Sequence, residues 1–256
     1  MSNAEDCNDR ARAAAEVEEY YADPAQRLVM MRALFNRSAR YYDLVNLVVS
    51  LGSGGWYRRF CLRRSGVRPG VQVVDIATGT GLLAREAVAL TGDRAAVTGI
   101  DVSEAMLAIA QSNLGIALIQ ATAEALPLAD NSADFVTMGY ALRHVADLPA
   151  AFAEALRILR PGGAMVLLEI SAPRNKFLRA LAAGFIGKLV PRLSQFFARD
   201  EKARLLMQYH WQTILSYVPP DAVTRVMTDC GFEDVKRISY LDLFHHYTGK
   251  KPHSSR

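Results

Sequence analysis

The pattern of apolar and polar positions changes character near residue 67. Before it, apolar residues recur at helical spacing among many charged ones. After it, short apolar runs alternate with amphipathic stretches. Gln72 to Ile76, Ala95 to Ile100, Ala117 to Gln120, Ala133 to Met138 and Ala164 to Ile170 read as strands. Gly81 to Leu90, Ser103 to Ala110 and Asp147 to Leu159 read as the helices between them, with Ser103 placed to cap its helix and Arg160-Pro161-Gly162-Gly163 to stop the third. Pro219-Pro220-Asp221 opens a last helix that runs to Asp229, and Asp234 to Tyr240 and Asp242 to Tyr247 form a final strand pair. Strands this apolar, alternating with helices, argue a parallel sheet covered on both faces. The expected class is α/β: a Rossmann-like, mostly parallel seven-stranded sheet with an antiparallel last strand and helices on both faces.

Two helical regions flank or interrupt that alternation. Residues 1–66 read as an N-terminal helical layer or lid, set before a domain of residues 67–256. The layer begins with an Ala/Glu-rich helix over 1–22, broken at Asp23-Pro24, and a helix from Arg27 to Phe35 follows. Next come an aromatic stretch from Phe35 to Asp43, an apolar run from Leu44 to Leu51, a flexible turn at Gly52-Ser53-Gly54-Gly55 and a basic amphipathic helix from Trp56 to Arg64. The second region, 172–218, is a helical cap inserted after the fifth strand. It carries Phe177, Phe185, Phe196, Phe197, Tyr209, Trp211 and Tyr217. Such a cap serves as a packed cover, as a pocket for a greasy substrate, or as a docking face on a membrane surface.

Composition narrows the class without naming a ligand. Of 256 residues, 51% are hydrophobic and 22% charged, and the net charge is +4. That mild charge does not call for nucleic acid, and there is no long Lys/Arg run. The three cysteines, Cys7, Cys61 and Cys230, are far apart and at no metal-ligand or disulfide spacing. The polar, acidic start lacks the apolar core of a signal peptide. No stretch approaches ~18 uncharged apolar residues. A cytoplasmic protein is expected, with a peripheral place at the inner face of the membrane and a homodimer left open. His210, His245 and His246 do not make a metal set, and no metal is expected.

Chemistry concentrates at Val73-Val74-Asp75-Ile76-Ala77-Thr78-Gly79-Thr80-Gly81. A strand feeding a Gly-x-Gly turn and a helix gathers backbone N–H groups and a positive helix end at one spot. Ligands of open α/β sheets sit there. Asp101 closes the second strand, where a carboxylate can accept from both hydroxyls of a ribose, a group that NAD and S-adenosylmethionine share. Asp75 would repel a pyrophosphate and suits the ammonium of a methionine moiety, which favours the second ligand. The loop from Ala121 to Pro127, with Thr122 and Ala123, is placed to meet an adenine.

Taken together, these motifs resemble the ubiquinone/menaquinone biosynthesis C-methyltransferase family over roughly residues 30–250. The resemblance is carried by Phe35-x-x-x-Ala39-x-x-Tyr42-Asp43, by Asp75 to Gly81, and by Asp101-Val102-Ser103-Glu104-Ala105-Met106-Leu107. Ala123-Glu124-Ala125-Leu126-Pro127, Ala141-Leu142-Arg143-His144-Val145, Arg157 to Gly163 and Leu168-Glu169-Ile170-Ser171 continue it. It implies S-adenosyl-L-methionine as cofactor, contacted by Tyr42, Ala77, Gly79, Thr80, Gly81, Val102, Met106, Thr122, Ala123 and Gly139 beside Asp75 and Asp101. It also implies C-methylation of a hydrophobic, hydroquinone-like or prenylated aromatic acceptor. Arg143 would stabilise a phenolate, and His144 would take its proton directly or through water. Two departures stand out: Thr122 occupies a place where the family carries Asp or Asn, and His144 replaces an Asn. The competing readings are O- or C-methylation of another apolar small molecule, a non-catalytic protein that keeps the pocket, and an NAD-dependent oxidoreductase.

Overall fold

Side chains that alternate along the strands divide the core into two layers, and each layer is closed by its own helices. The structure is a computed structural model, and it describes residues 24–185, 189–190 and 219–253. The expected helix over 1–22 lies outside these residues. So does most of the cap, including Phe196, Phe197, Tyr209, Trp211 and Tyr217.

Helix α1 (Pro24–Val49) and helix α2 (Gly54–Ser65) precede strand β1 (Val73–Ile76). Helix α3 (Leu82–Thr91), β2 (Val97–Asp101), α4 (Glu104–Leu114), β3 (Ala117–Gln120) and β4 (Ala133–Gly139) follow. Then come α5 (Leu148–Ile158), β5 (Leu159–Ile170), α6 (Lys176–Gly184), α7 (Pro220–Asp229), β6 (Glu233–Tyr240) and β7 (Phe244–Lys250). The strand order is β3-β2-β1-β4-β5-β7-β6, seven strands in one sheet. β1 to β5 pair in parallel, and β7 runs antiparallel between β5 and β6. The Rossmann-like class and its antiparallel last strand are therefore observed.

On one face Val74, Ile76, Val136, Met138, Met165 and Leu167 pack against α5 and α7 through Phe152, Ile158, Val223 and Met227. On the other, Val73, Val97, Phe135, Val166 and Leu168 meet α2, α3 and α4 through Cys61, Leu62, Leu83, Ala87 and Leu114. α2 thus packs on the sheet itself. The capping residues act as expected: the Ser103 hydroxyl accepts from the Met106 N–H, and the Asp147 carboxylate from the Ala150 N–H.

Three local readings are corrected. α1 is one helix through the aromatic stretch to Val49, because no Gly or Pro interrupts the chain between Pro24 and Gly52. It is ended by Leu51 and Gly52 in left-handed backbone at φ 48° and 79°. The second strand starts at Val97, since Asp93 caps a short 3-10 turn over Arg94–Ala96. Arg160 to Gly163 belongs to β5. The Gly162 N–H donates to the Lys251 carbonyl and the Lys251 N–H to the Gly163 carbonyl, so the chain beyond β7 ties this stretch into the sheet. Among the described residues no helix is long and apolar enough to cross a membrane.

Candidate active site

The carboxyl end of β1 is built to turn sharply. Ala77, Gly79 and Gly81 all have positive φ, at 54°, 57° and 88°. Glycine is required at 81, where a Cβ would come within 2.5 Å of the Leu114 Cδ1. Ala77 holds a left-handed conformation that costs a residue with a side chain of order 1 kcal/mol, a kind of strain that gathers at functional sites. The Thr78 N–H donates to the Ile100 carbonyl at 2.9 Å, tying the turn to the end of β2.

Asp101 completes that stitch. One carboxylate oxygen accepts from the Gly79 N–H and the other from the Ser103 N–H, each at 2.8 Å. The residue is 9% exposed. Burial raises the pKa of its carboxyl, and the N–H groups of Ser103, Gly79 and Val102 oppose that rise.

Above this turn lies a cavity of about 360 Å³, a size usual for small-molecule sites. Ala77, Gly79, Asp101, Val102 and Met106 line it from the ends of β1 and β2 and the start of α4. Thr122 and Ala123 reach it from the loop after β3, and Gly139 from the end of β4. Tyr42 of α1 and His144 complete the predicted set on its wall. His144 stands edge-on to the Phe35 ring, 5.2 Å between centroids.

Three residues of the predicted cradle sit elsewhere. Asp75 is absent from the cavity wall. Its two oxygens accept from the Thr137 hydroxyl at 2.6 Å and the Thr78 hydroxyl at 2.7 Å, deep in the sheet. The direct contact with an ammonium suggested by its charge is therefore not made available, because its position on β1 points it at Thr137 of β4. The Thr80 hydroxyl donates to Asp43 of α1 at 2.5 Å. Gly81 shapes the turn from behind, against α4.

Arg143 faces a second cavity, of about 370 Å³. Apolar side chains of α1 and α2 make much of its wall, Val45, Val49 and Tyr57 among them, with Phe244 opening β7. Tyr42 and Tyr140 line both cavities and so form their common wall. Tyr140 has φ 61°, a second strained residue, at the end of β4. Burial raises the pKa of the Tyr42 phenol, while Arg143 and Arg58 act in the opposite direction, so the phenol stays protonated at neutral pH.

The Arg143 guanidinium lies 3.6 Å from Glu169, and both side chains are buried. Glu169 also accepts from the Leu142 N–H at 2.8 Å, which fixes the short turn Leu142–His144 that carries both Arg143 and His144. Burial pushes the Glu169 carboxyl up to about 7, against the pull of the arginine. His245 and His246 are placed away from both cavities, against the Ser171 and Ser65 hydroxyls at 2.7 and 3.0 Å. Sequence reasoning missed Tyr140, Arg58 and Asn46 as wall residues. The φ of Tyr140 leaves no mark in composition, and Arg58 looked like one of several cations on a wet helix.

The model of the ubiE/COQ5 methyltransferase family matches residues 24–243. The chain belongs to that family. A curated relative from Shewanella sediminis, named ubiquinone/menaquinone biosynthesis C-methyltransferase UbiE, is 32% identical over 85% of this chain and 88% of its own. The Shewanella oneidensis protein of the same name is 32% identical over 83% and 86%. Solved structures share the fold. A SAM-dependent methyltransferase from Thermotoga maritima superposes with TM-score 0.60 and 23% identity, over 86% of this chain and 99% of that one. Phosphoethanolamine N-methyltransferase 2 of Haemonchus contortus, solved with S-adenosyl-L-methionine, does so at 0.58 and 17%, over 85% and 57%. The chain is an S-adenosylmethionine-dependent methyltransferase.

Proposed function

We propose that the enzyme moves the methyl group of S-adenosylmethionine to a ring carbon of an apolar hydroquinone, with the donor in the first cavity and the acceptor in the second. The observation that carries this reading is the pair of cavities and their common wall of Tyr42 and Tyr140. The first has the groups the donor needs. Asp101 is held by two backbone N–H groups and keeps lone pairs for the ribose hydroxyls. Gly79 and Gly139 keep the floor bare, and a Cβ on Gly139 would stand 3.2 Å from Leu83. Thr122 and Ala123 are ready for the adenine edge. Thr80 and Gly81 act indirectly, one by fastening α1 over the turn and the other by allowing the turn to form.

S-adenosylmethionine supplies, when bound, an already activated methyl group. What remains for the protein is alignment, exclusion of water and removal of a proton. Arg143 stabilises the phenolate that makes the ring carbon nucleophilic, and the low-dielectric walls strengthen that interaction. His144 lines the donor cavity, so it receives the phenolic proton through a water. The proton is returned to the oxygen as the methylated ring carbon gives up its own hydrogen as a proton and the ring regains aromaticity. Glu169 orients Arg143 and leaves it cationic. Within the layer of residues 1–66, α1 acts as the lid over both cavities and α2 closes the second. The UbiE relatives are named for ubiquinone and menaquinone biosynthesis, and the apolar second cavity suits an acceptor of that kind. Its rim exposes Leu51 and Trp56 beside the basic α2, which suits delivery from the surface of a membrane.

The test is product analysis by mass spectrometry after supplying labelled donor and a bacterial lipid extract. A labelled methyl on a quinone ring carbon is expected; label on oxygen, or on no lipid, would overturn the reading. Arg143→Ala should lower turnover on the order of a hundredfold or more, with cofactor affinity kept within a few-fold in calorimetry.

A further inference from the structure

One buried arginine of the second cavity pairs with no carboxylate among the described residues. α2 carries Arg58, Arg59, Arg63 and Arg64. Arg59, Arg63 and Arg64 are exposed, and Arg59 pairs with Glu86 at 2.8 Å. Arg58 turns inward: it is 6% exposed and lines the second cavity. Its contacts are with neutral groups. Nη2 donates to the Asn46 Oδ1 at 3.3 Å, and the guanidinium lies 5.5 Å from the centre of the Tyr140 ring. Among the described residues no carboxylate pairs with it. Arg143, the other arginine of the same cavity, has Glu169 at 3.6 Å.

Burying a guanidinium among apolar walls is costly unless an anion shares the site. The backbone is shaped to seat this one: a Cβ on Gly54 would lie 2.8 Å from the Arg58 Nη1. Asn46 engages one of five N–H donors, and the fork keeps the rest for a ligand oxygen. The cavity walls are mostly apolar and aromatic, and the other arginine is paired with Glu169. Arg58 therefore offers a positive charge that no carboxylate of the described residues matches, near the wall that Tyr140 shares with the donor site.

We propose that Arg58 binds an anionic oxygen carried by the aromatic acceptor, distinct from the oxygen that Arg143 stabilises, and so selects ring substrates with two oxygen functions. This rests on the reading that the second cavity takes the acceptor. The second oxygen is a phenolate or a carboxylate on the ring. Arg58 is a specificity residue here, since it holds the ring by a group that does not react.

The experiment is calorimetric titration of the enzyme loaded with S-adenosylhomocysteine. The probes are 2-geranylhydroquinone, 3-geranyl-4-hydroxybenzoate and geranylbenzene. Wild type should bind at least one oxygenated probe more tightly than geranylbenzene. Arg58→Met should weaken that probe on the order of tenfold to a hundredfold and leave geranylbenzene unchanged, and Arg58→Lys should restore part of the loss. Whichever oxygenated probe loses more names the second oxygen. S-adenosylhomocysteine binding reports the fold of each variant. Should Arg58→Met not fold, Gly54→Ala, which crowds the guanidinium, must give the same selective loss. Equal weakening of all three probes, or of none, overturns the proposal and leaves the acceptor reading standing. A wild type that binds geranylbenzene as tightly as the others does the same. A wild type that binds none of the three overturns both.

Discussion

Asp75 lies one residue before the end of β1 and Asp101 closes the neighbouring β2; both are buried, yet only Asp101 reaches the cavity. Asp101 was legible because it ends the second strand beside the glycine turn of the first, where a carboxylate can meet a ribose. Asp75 was legible as an acid but not as to where it points. Its partner Thr137 lies on β4, and the register that sets them opposite is decided by long-range pairing. Asp101→Ala should remove measurable cofactor binding in calorimetry; undiminished affinity would remove this residue from the cradle. Asp75 instead makes a prediction about stability. Burial pushes its carboxyl from 3.8 up to about 6, against the hydroxyls of Thr137 and Thr78. A carboxyl whose pKa rises on folding stabilises fully below its unfolded value and loses that contribution as pH passes the folded one. The stability difference between wild type and Asp75→Asn should therefore move in favour of the variant from pH 4 to pH 7. The expected change is about 2 kcal/mol, read from urea denaturation at each pH. A constant difference would contradict a raised carboxyl.

At the scale of elements, α1 is shaped by packing more than by the preferences of its residues. Its aromatic stretch looked like a separate segment, since Phe35, Tyr41 and Tyr42 are mediocre helix formers. Packing overrides that preference. Phe35 and Tyr42 meet edge to face at 6.3 Å, and Asn36 fastens the helix to the start of α4. The Asn36 Oδ1 accepts from the Ser103 hydroxyl at 2.6 Å and the Ala105 N–H at 3.2 Å, and Arg32 pairs with Glu104 close by. None of this could be read in advance, because Asn36 is a polar residue in mid-helix with no local partner. Asn36→Ala should cost about 1–2 kcal/mol in denaturation. It should also weaken the cofactor several-fold, since α1 brings Phe35 and Tyr42 to the first cavity. Stability lost without any change in affinity would separate α1 from the cradle.

For the molecule as a whole, the alternation of strands and helices was enough to foresee the sheet and its first ligand site. The second cavity was not foreseeable, because the consecutive helices α1 and α2, the turn after β4, the end of β5 and the start of β7 meet there from distant parts of the chain. Its rim leaves Leu51 and Trp56 77% and 70% exposed, next to Arg59, Arg63 and Arg64. Exposed apolar side chains beside a basic helix suit an anionic lipid surface. The enzyme should float with vesicles containing phosphatidylglycerol, and less so as salt is raised. Replacing Leu51 and Trp56 with Ser should reduce flotation at every salt concentration. Flotation that ignores both salt and the replacements would count against this face.

β7 is the strand between β5 and β6. It is also made after both of them. While the chain is being synthesised, β5 has one bare edge from the moment it pairs with β4, and β6 has no neighbour until β7 arrives. That bare edge belongs to an apolar strand, which is the kind that recruits other chains. A premature stop before Phe244 would thus do more than delete a strand. It would release a nearly complete enzyme with an adhesive flank, and the cell would meet it as an aggregate to be cleared.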